Sequence, residues 1–360
     1  MILHKFGYNH FRGLTPSSIE LSPSVNIFCG DNGAGKTSVI EAIHFLSCCK
    51  SFRTTSLEHL ISYDQDWLAL NAIASKQEYG LQHTINVRRT KKQNRVTIDD
   101  SAIHRSSQLS QLLPTLVVCS ERQRLFLAPP QVRRNFLDWG LFHVKPESIK
   151  LFTKFDRVLR QRNAAIKNKS APELIKNWDN EFVQFGNQIS QLRTWYIKQL
   201  SHILNSSFLS SFGGGELLLN YDPGYGKYSD LAESIDSGFD QDCRYGYTRY
   251  GPHRSEFFAL RNGRNVKDDL SKGETKLLIY FLVLSQAQLI FKSKGVKPWV
   301  LFDDFSSDFS PESLQIAFES ICQSGCQVFL TSATNFSGQV KSDPNVYLFH
   351  VEHGNVKKMI

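Results

Sequence analysis

Several features that mark common protein classes are missing from this chain. It has two methionines, no Cys-x-x-Cys pair, and seven cysteines, an odd number set mostly among apolar neighbours. That pattern speaks against a disulfide framework and for buried thiols in a reducing compartment. Cys322 and Cys326 lack a second ligand pair, so they do not suggest a metal site. No apolar run reaches the ~18 residues of a membrane span. The opening Met1-Ile2-Leu3-His4-Lys5-Phe6-Gly7 is too short and too polar for a signal peptide. The expectation is a soluble, cytoplasmic protein with no membrane partner. There is no internal repeat and no low-complexity tract.

Negative charge is scarce in one place. Residues 88–169 hold 18 Lys+Arg against 6 Asp+Glu, a local charge of +12. The rest of the chain holds 24 against 28, or −4, so the formal net charge of +8 comes wholly from this middle stretch. A surplus confined to one stretch points to an anionic partner more strongly than one spread evenly.

What is present suffices for a large core: 360 residues, 41% hydrophobic and 12% aromatic. Residues 1–30 read as two strands, the second ending in the apolar run Val25-Asn26-Ile27-Phe28-Cys29. Val39, Ile40, Ala42, Ile43 and Leu46 then recur at helical spacing. Residues 65–120 alternate like strands, with a basic hairpin near residues 88–95. From about Arg133 the period becomes helical, with one helix over residues 149–167. A turn at Ser170-Ala171-Pro172 leads to a second helix of roughly eight turns. Its stripe is Leu174, Trp178, Phe182, Phe185, Ile189, Leu192, Tyr196, Leu200 and Ile203. Gly213-Gly214-Gly215 marks the expected return to the first domain. The resulting layout is an α/β domain from residues 1–120 and 213–360, with a helical lobe of residues 121–212 inserted.

Chemistry concentrates in three motifs. Gly30-Asp31-Asn32-Gly33-Ala34-Gly35-Lys36-Thr37, followed by Ser38, satisfies G-x-x-x-x-G-K-[ST] between a strand and a helix. Its glycines let successive N–H groups cradle phosphate oxygens, Lys36 reaches the β- and γ-phosphates, and the Thr37 hydroxyl ligates Mg²⁺. The apolar run Trp299-Val300-Leu301-Phe302 ends in Asp303-Asp304. Beside a phosphate loop, Asp303 suits the magnesium ion, and Asp304 suits orienting or activating the attacking water. Leu270-Ser271-Lys272-Gly273-Glu274 precedes an apolar helix, its serine 32 residues before Asp303. Taken alone, Ser271 is a good N-cap. In the order phosphate loop, Ser-Lys-Gly-Glu, Asp-Asp strand, the segment resembles the signature of ABC-type ATPases. There the helix end faces the γ-phosphate bound by the opposite subunit.

Over nearly the whole chain the sequence resembles the RecF family, relatives of the SMC-type heads. The matching segments are Phe11-Arg12, Gly30 to Ser38 with Glu41-Ala42-Ile43, and Ser51-Phe52-Arg53. Further on they are Arg133-Arg134-Asn135-Phe136-Leu137-Asp138, Trp178-Asp179 with Gly186, Gly251-Pro252-His253-Arg254, and the Ser271 signature. Departures from the family pattern are Gly13 for Asn, Glu274-Thr275 for Gln-Gln, and Ser307-Asp308-Phe309-Ser310 for Ser-Glu-Leu-Asp. Ser120-Glu121-Arg122-Gln123 replaces a more acidic segment around the Q-loop. No histidine follows residues 327–330, where Thr331 and Ser332 stand instead.

The resemblance implies an ABC-type P-loop ATPase head with an inserted α-helical lobe, binding ATP and Mg²⁺. It implies an ATP-dependent homodimer that binds gapped, single- and double-stranded DNA, with slow DNA-stimulated hydrolysis that resets it, and RecR and RecO as partners. It adds Arg12 and Arg53 as nucleotide contacts. Candidate DNA contacts from the basic stretch are Arg88, Arg89, Lys91, Lys92, Arg133, Arg134, Arg157 and Arg160, beside Arg95, Arg122, Arg124, Lys154 and Arg162. No sequence-reading module is evident, so backbone contact is the natural mode. A transporter ATPase subunit and a small-molecule kinase stay open as alternatives. Co-purification with a membrane protein would favour the first, and acceptor-dependent turnover indifferent to DNA the second.

Overall fold

The computed structural model describes residues 1–76, 80–119, 122–208, 217–333 and 344–359. The Gly213-Gly214-Gly215 turn, Ser120, Glu121 and the Arg122 side chain lie outside the described residues. The chain divides into two compact units, one of Met1–Gln123 with Ser271–Ile360 and one of Arg124–Leu270.

The first stretch contains β1 (Ile2–Asn9), β2 (Ser17–Glu20), β3 (Val25–Cys29), α1 (Lys36–Cys48), β4 (Trp67–Ser75), β5 (Gln82–Thr90), β6 (Asn94–Ile98), β7 (Ser101–Ala102), α2 (Ser106–Leu112) and β8 (Thr115–Val118). The second unit follows with α3 (Pro130–Val144), α4 (Ser148–Lys167), α5 (Pro172–Lys176), α6 (Asp179–Phe208), β9 (Leu217–Asp222), α7 (Leu231–Tyr245), β10 (Glu256–Arg261), β11 (Arg264–Asn265) and α8 (Val266–Asp269). The first unit closes with α9 (Lys272–Lys294), β12 (Trp299–Phe302), α10 (Pro311–Gln323), β13 (Gln327–Ser332), β14 (Val346–Glu352) and β15 (Asn355–Lys358).

In the first unit the order β15-β14-β3-β13-β12-β8 forms a sheet that is parallel except for β15. Every residue of β3, β8, β12 and β13 is buried, as strands covered on both faces require. An antiparallel sheet, β2-β1-β4-β5-β6-β7, alternates buried and open positions instead. The basic hairpin is its β5–β6 pair, which places Arg88 directly opposite Arg95. The buried side chain of Gln327 ties the two sheets. Its Oε1 accepts from Leu3 N at 2.7 Å, and its Nε2 donates to the Leu3 and Ser22 carbonyls at 2.7 Å each. Helix α9 is buried nearly all round from Thr275 to Ile290. By length and composition it is apolar enough to cross a bilayer, although no unbroken apolar run marks it. Since 78% of its apolar window is covered by the protein, it reads as a core helix.

In the second unit α4 and α6 pack around Phe155, Val158, Phe182, Ile189, Leu231 and Ile235. The long helical stripe is broken at Asn177: Leu174 sits on the short α5 and is 57% exposed, while Ile175 turns inward. The boundary after residue 212 also needs correction, because this unit continues to Leu270. Strands β9 and β10 pair antiparallel, and two buried arginines pin residues 242–255 to the helices. Arg162 donates to Asp179, Asp242 and Thr248 at 2.7 Å each. Arg193 donates to both Asp138 oxygens at 2.8 Å, to the Pro252 carbonyl at 2.7 Å and to Ser255 Oγ at 2.8 Å. Losing one partner of such a pair leaves a buried charge, at a cost of about 3–5 kcal/mol. These contacts are invisible to a hydrophobic period, which is why the sequence places the boundary too early.

Two imidazoles in this unit carry a pH signature. Burial pushes both His143 and His253 down to about 4. Unfolded, each titrates near ~6.5, so between those values the unfolded chain binds more protons and stability falls as pH falls. The melting temperature is expected to drop steadily from pH 6.5 towards 4. His143→Phe should remove roughly half of that drop in scanning calorimetry.

Candidate nucleotide site

The parallel sheet explains why distant motifs converge. Strands β3, β13 and β12 run side by side, and the register puts Cys29 against Ser332 and Phe302 against Leu330. The phosphate loop after β3, Thr331 in β13 and the Asp pair after β12 therefore emerge along one row of carboxyl ends. In open α/β sheets that is where ligands bind.

The loop from Gly30 to Gly35 turns through left-handed backbone at Gly30, Gly33 and Gly35 before α1 begins. At Gly30 a side chain would collide with the carbonyl oxygen of Val351, so this position requires glycine. Lys36 is half-buried and arches back over the loop, donating to the carbonyls of Gly30 at 2.7 Å and Asp31 at 2.9 Å. Thr37 Oγ1 donates to Asp303 Oδ1 at 2.9 Å, and Thr331 Oγ1 donates to the same oxygen at 2.7 Å. Thr331 Oγ1 also accepts from the Asp304 N–H at 2.8 Å. Asp303 is buried, whereas Asp304 is exposed and sits in a left-handed turn. The structure thus brings Lys36, Thr37, Asp303 and Asp304 together.

Several participants escaped the sequence reading. Gln123 donates through Nε2 to the Asp303 carbonyl at 2.7 Å, which makes it the Q-loop candidate. Glu41, wholly buried on α1, gathers three neighbours. Arg12 donates to both of its oxygens, at 2.5 and 2.8 Å, Ser51 bonds it, and Arg53 lies at 3.4 Å. Arg12 and Arg53 are thereby brought to one carboxylate on the helix that follows the phosphate loop. A glutamate on the buried face of an amphipathic helix was the available signal. Lys276 is the third: 3% exposed, it donates to the Asp304 and Ser307 carbonyls at 2.9 and 2.7 Å. Burial pushes its ammonium down to about 8, against the pull of Asp304, Asp308 and Asp303.

Ser271 caps α9 through a full capping box. Its Oγ accepts from Glu274 N at 3.2 Å, and Glu274 Oε2 accepts from Ser271 N at 2.9 Å. Glu274 fills the N3 position of that box, a role that glutamine also fills. Ser271 and Lys272 are exposed, so this helix end faces solvent. Gly273 has no room for a side chain, since a Cβ would lie 2.8 Å from the Asp308 carbonyl oxygen.

The basic candidates separate into two groups. Arg88 lies over the Trp67 ring at 4.8 Å, Lys91 pairs with exposed Glu58 at 2.9 Å, and Lys92 is exposed. Arg89 is half-buried on β5; Arg157 and Arg160 are exposed on α4. Arg133 needs correction as a DNA candidate. It is 9% exposed, bound to both oxygens of Glu256 at 2.5 and 2.7 Å and to two backbone carbonyls. Arg162 is likewise internal, and Arg134 donates to the Ser255 carbonyl at 2.9 Å. Among the described residues, no group of three or more His, Cys, Asp or Glu is placed to hold a metal, and no disulfide forms.

Comparison with known proteins bears on this arrangement. The family model described as the RecF/RecN/SMC N-terminal domain matches residues 2–357. The chain is 32% identical to the DNA replication and repair protein RecF of Pseudoalteromonas translucida, with 99% of each chain covered. It is equally similar, 32% with 99% of each covered, to the protein of that name from Proteus mirabilis. The chain belongs to the RecF family. Its fold matches the solved structure of the recombination mediator protein RecF with ATP at a TM-score of 0.83. That match has 21% identity and covers 100% of this chain and 98% of the other. An Smc head bound to the C-winged helix domain of ScpA matches at 0.56, with 15% identity and 100% and 97% covered. The fold is therefore the α/β ABC-type head that RecF and SMC proteins share.

Thr331 is the residue on which Asp303 and Asp304 both lean. Thr331→Val keeps its shape but strips a partner from the Asp304 N–H. Denaturant titration is expected to show a loss of about 1–3 kcal/mol, with Thr331→Ser retaining most of the stability.

Proposed function

We propose that the chain is an ATP-dependent DNA-binding protein of recombinational repair and replication-fork maintenance, dimerising when it binds ATP and released by slow hydrolysis. The observation that carries the reading is the 2.9 Å contact of Thr37 Oγ1 with Asp303 Oδ1 at the mouth of the phosphate loop. A hydroxyl and a carboxylate at that spacing fit Mg²⁺, which takes few protein ligands and completes its shell with phosphate oxygens and water. Bound there, the ion would neutralise charge on the phosphates. The loop N–H groups of Gly30, Asp31, Asn32, Gly33, Ala34 and Gly35 face the phosphates, with Ser38 at the start of the helix. Lys36, whose ammonium now satisfies two carbonyls, moves to the β- and γ-oxygens. Arg12 and Arg53, steadied by Glu41, contact the nucleotide.

Asp304 orients the water that attacks the γ-phosphorus, so that ATP and water give ADP and phosphate. A second subunit supplies Ser271, Lys272, Gly273 and Glu274, whose exposed helix end suits the γ-phosphate. DNA lies against the exposed Arg88, Lys91, Lys92, Arg157 and Arg160 and the partly exposed Arg89 and Arg134, held through phosphates and sensitive to salt. RecR- and RecO-type mediators are the expected partners, and the compartment is the cytoplasm.

Sedimentation with and without ATP and gapped DNA tests the reading. Lys36→Ala is expected to lose ATP binding, and Ser271→Arg to stay monomeric with ATP. Asp304→Asn should bind ATP and remain dimeric on DNA. A native chain that ignores both ATP and DNA overturns the proposal.

A further inference from the structure

The turn from Asp303 to Asp308 is an unusual piece of backbone. Asp304 and Asp308 both lie in the left-handed region, with φ of 52° and 63°. Such residues each cost on the order of 1 kcal/mol and persist only where their surroundings impose them. Here the surroundings belong to α9. The Lys276 ammonium donates to Asp304 O at 2.9 Å, Ser307 O at 2.7 Å and Ser307 Oγ at 2.8 Å, which uses all three of its protons. One turn earlier, Gly273 lets the helix backbone close on the Asp308 carbonyl. One turn later, Tyr280 sits 4.3 Å from Phe302, 5.6 Å from Phe305 and 5.4 Å from Phe309 between ring centroids. Phe309 also covers the ammonium at 5.0 Å.

We infer that Lys276 is a positioning residue that couples the capped end of α9 to the carboxylate of Asp304 within one chain, so that engagement of Ser271 sets turnover at that chain's own nucleotide. The inference rests on the ATPase reading above. Ser271 lies five residues before Lys276 on the same rigid helix. A shift of the helix end therefore either carries the Asp304 turn with it or pulls a buried ammonium off its carbonyls. The second is costly, because an unpaired buried charge has no solvent to replace its partners. The two movements are consequently linked. In a dimer with Ser271 on the partner's nucleotide, this linkage joins the two sites.

Steady-state turnover, nucleotide affinity and melting temperature of Lys276→Met and Lys276→Arg test it. Lys276→Met is expected to bind ATP within about threefold of the native chain while kcat falls at least ~10-fold with KM little changed. Lys276→Arg, which can still donate to both carbonyls, should recover most of the rate. In the double variant Lys276→Met with Ser271→Arg, the two losses should not multiply, since both cut the same link. A native rate in Lys276→Met, or losses that multiply, overturns this inference and leaves the ATPase reading intact. Failure of the native chain to hydrolyse ATP overturns both.

Discussion

The carboxylate of Asp303 is the point on which the first unit's chemistry turns. One of its oxygens accepts from Thr37 and Thr331 together, and its own backbone is held by Val118 and Gln123. Three segments far apart in sequence, at Thr37, at Val118 to Gln123 and at Thr331, are thus fastened to one residue at the ends of the parallel strands. A buried carboxylate in an apolar sheet is tolerated only when its lone pairs are met. The hydroxyls that meet them are also groups a magnesium–phosphate site would use. A magnesium–phosphate site would thus draw on the same contacts that hold the fold.

Burial of charge shapes the second unit as well, with a different outcome. Arg133, Arg162 and Arg193 are taken inside and matched to Glu256, Asp179, Asp242 and Asp138. Burial raises the Asp242 carboxyl even with Arg162 against it. Buried pairs of this kind contribute little net stability but penalise any arrangement that separates them. They act as register pins between the helices and the small β9–β10–β11 sheet. The +12 of residues 88–169 therefore overstates the charge shown to a polyanion, since part of it is spent inside.

Much of the site was legible in the sequence because its chemistry is local. A phosphate loop needs glycines, a lysine and a hydroxyl at fixed spacing, and an apolar strand running into Asp-Asp is equally compact. Ser271 announced itself as a cap, and the structure adds Glu274 as the other half of a capping box. The residues that were not legible act across the fold. Glu41 looks like one more polar position on α1 until Arg12, Ser51 and Arg53 converge on it. Lys276 looks like a solvated lysine until burial places it under the Asp304 turn. Gln123 takes on meaning only from its contact with Asp303.

The sequence by itself determined the nucleotide loop, the Asp-Asp strand, the capped helix and the alternation of strands and helices, because these follow from neighbours within a few residues. Tertiary structure alone decided the boundary at Ser271, which arginines are internal, and which lysine holds the turn bearing Asp304. Those outcomes depend on desolvation, and desolvation is set by what packs against a side chain from the rest of the chain.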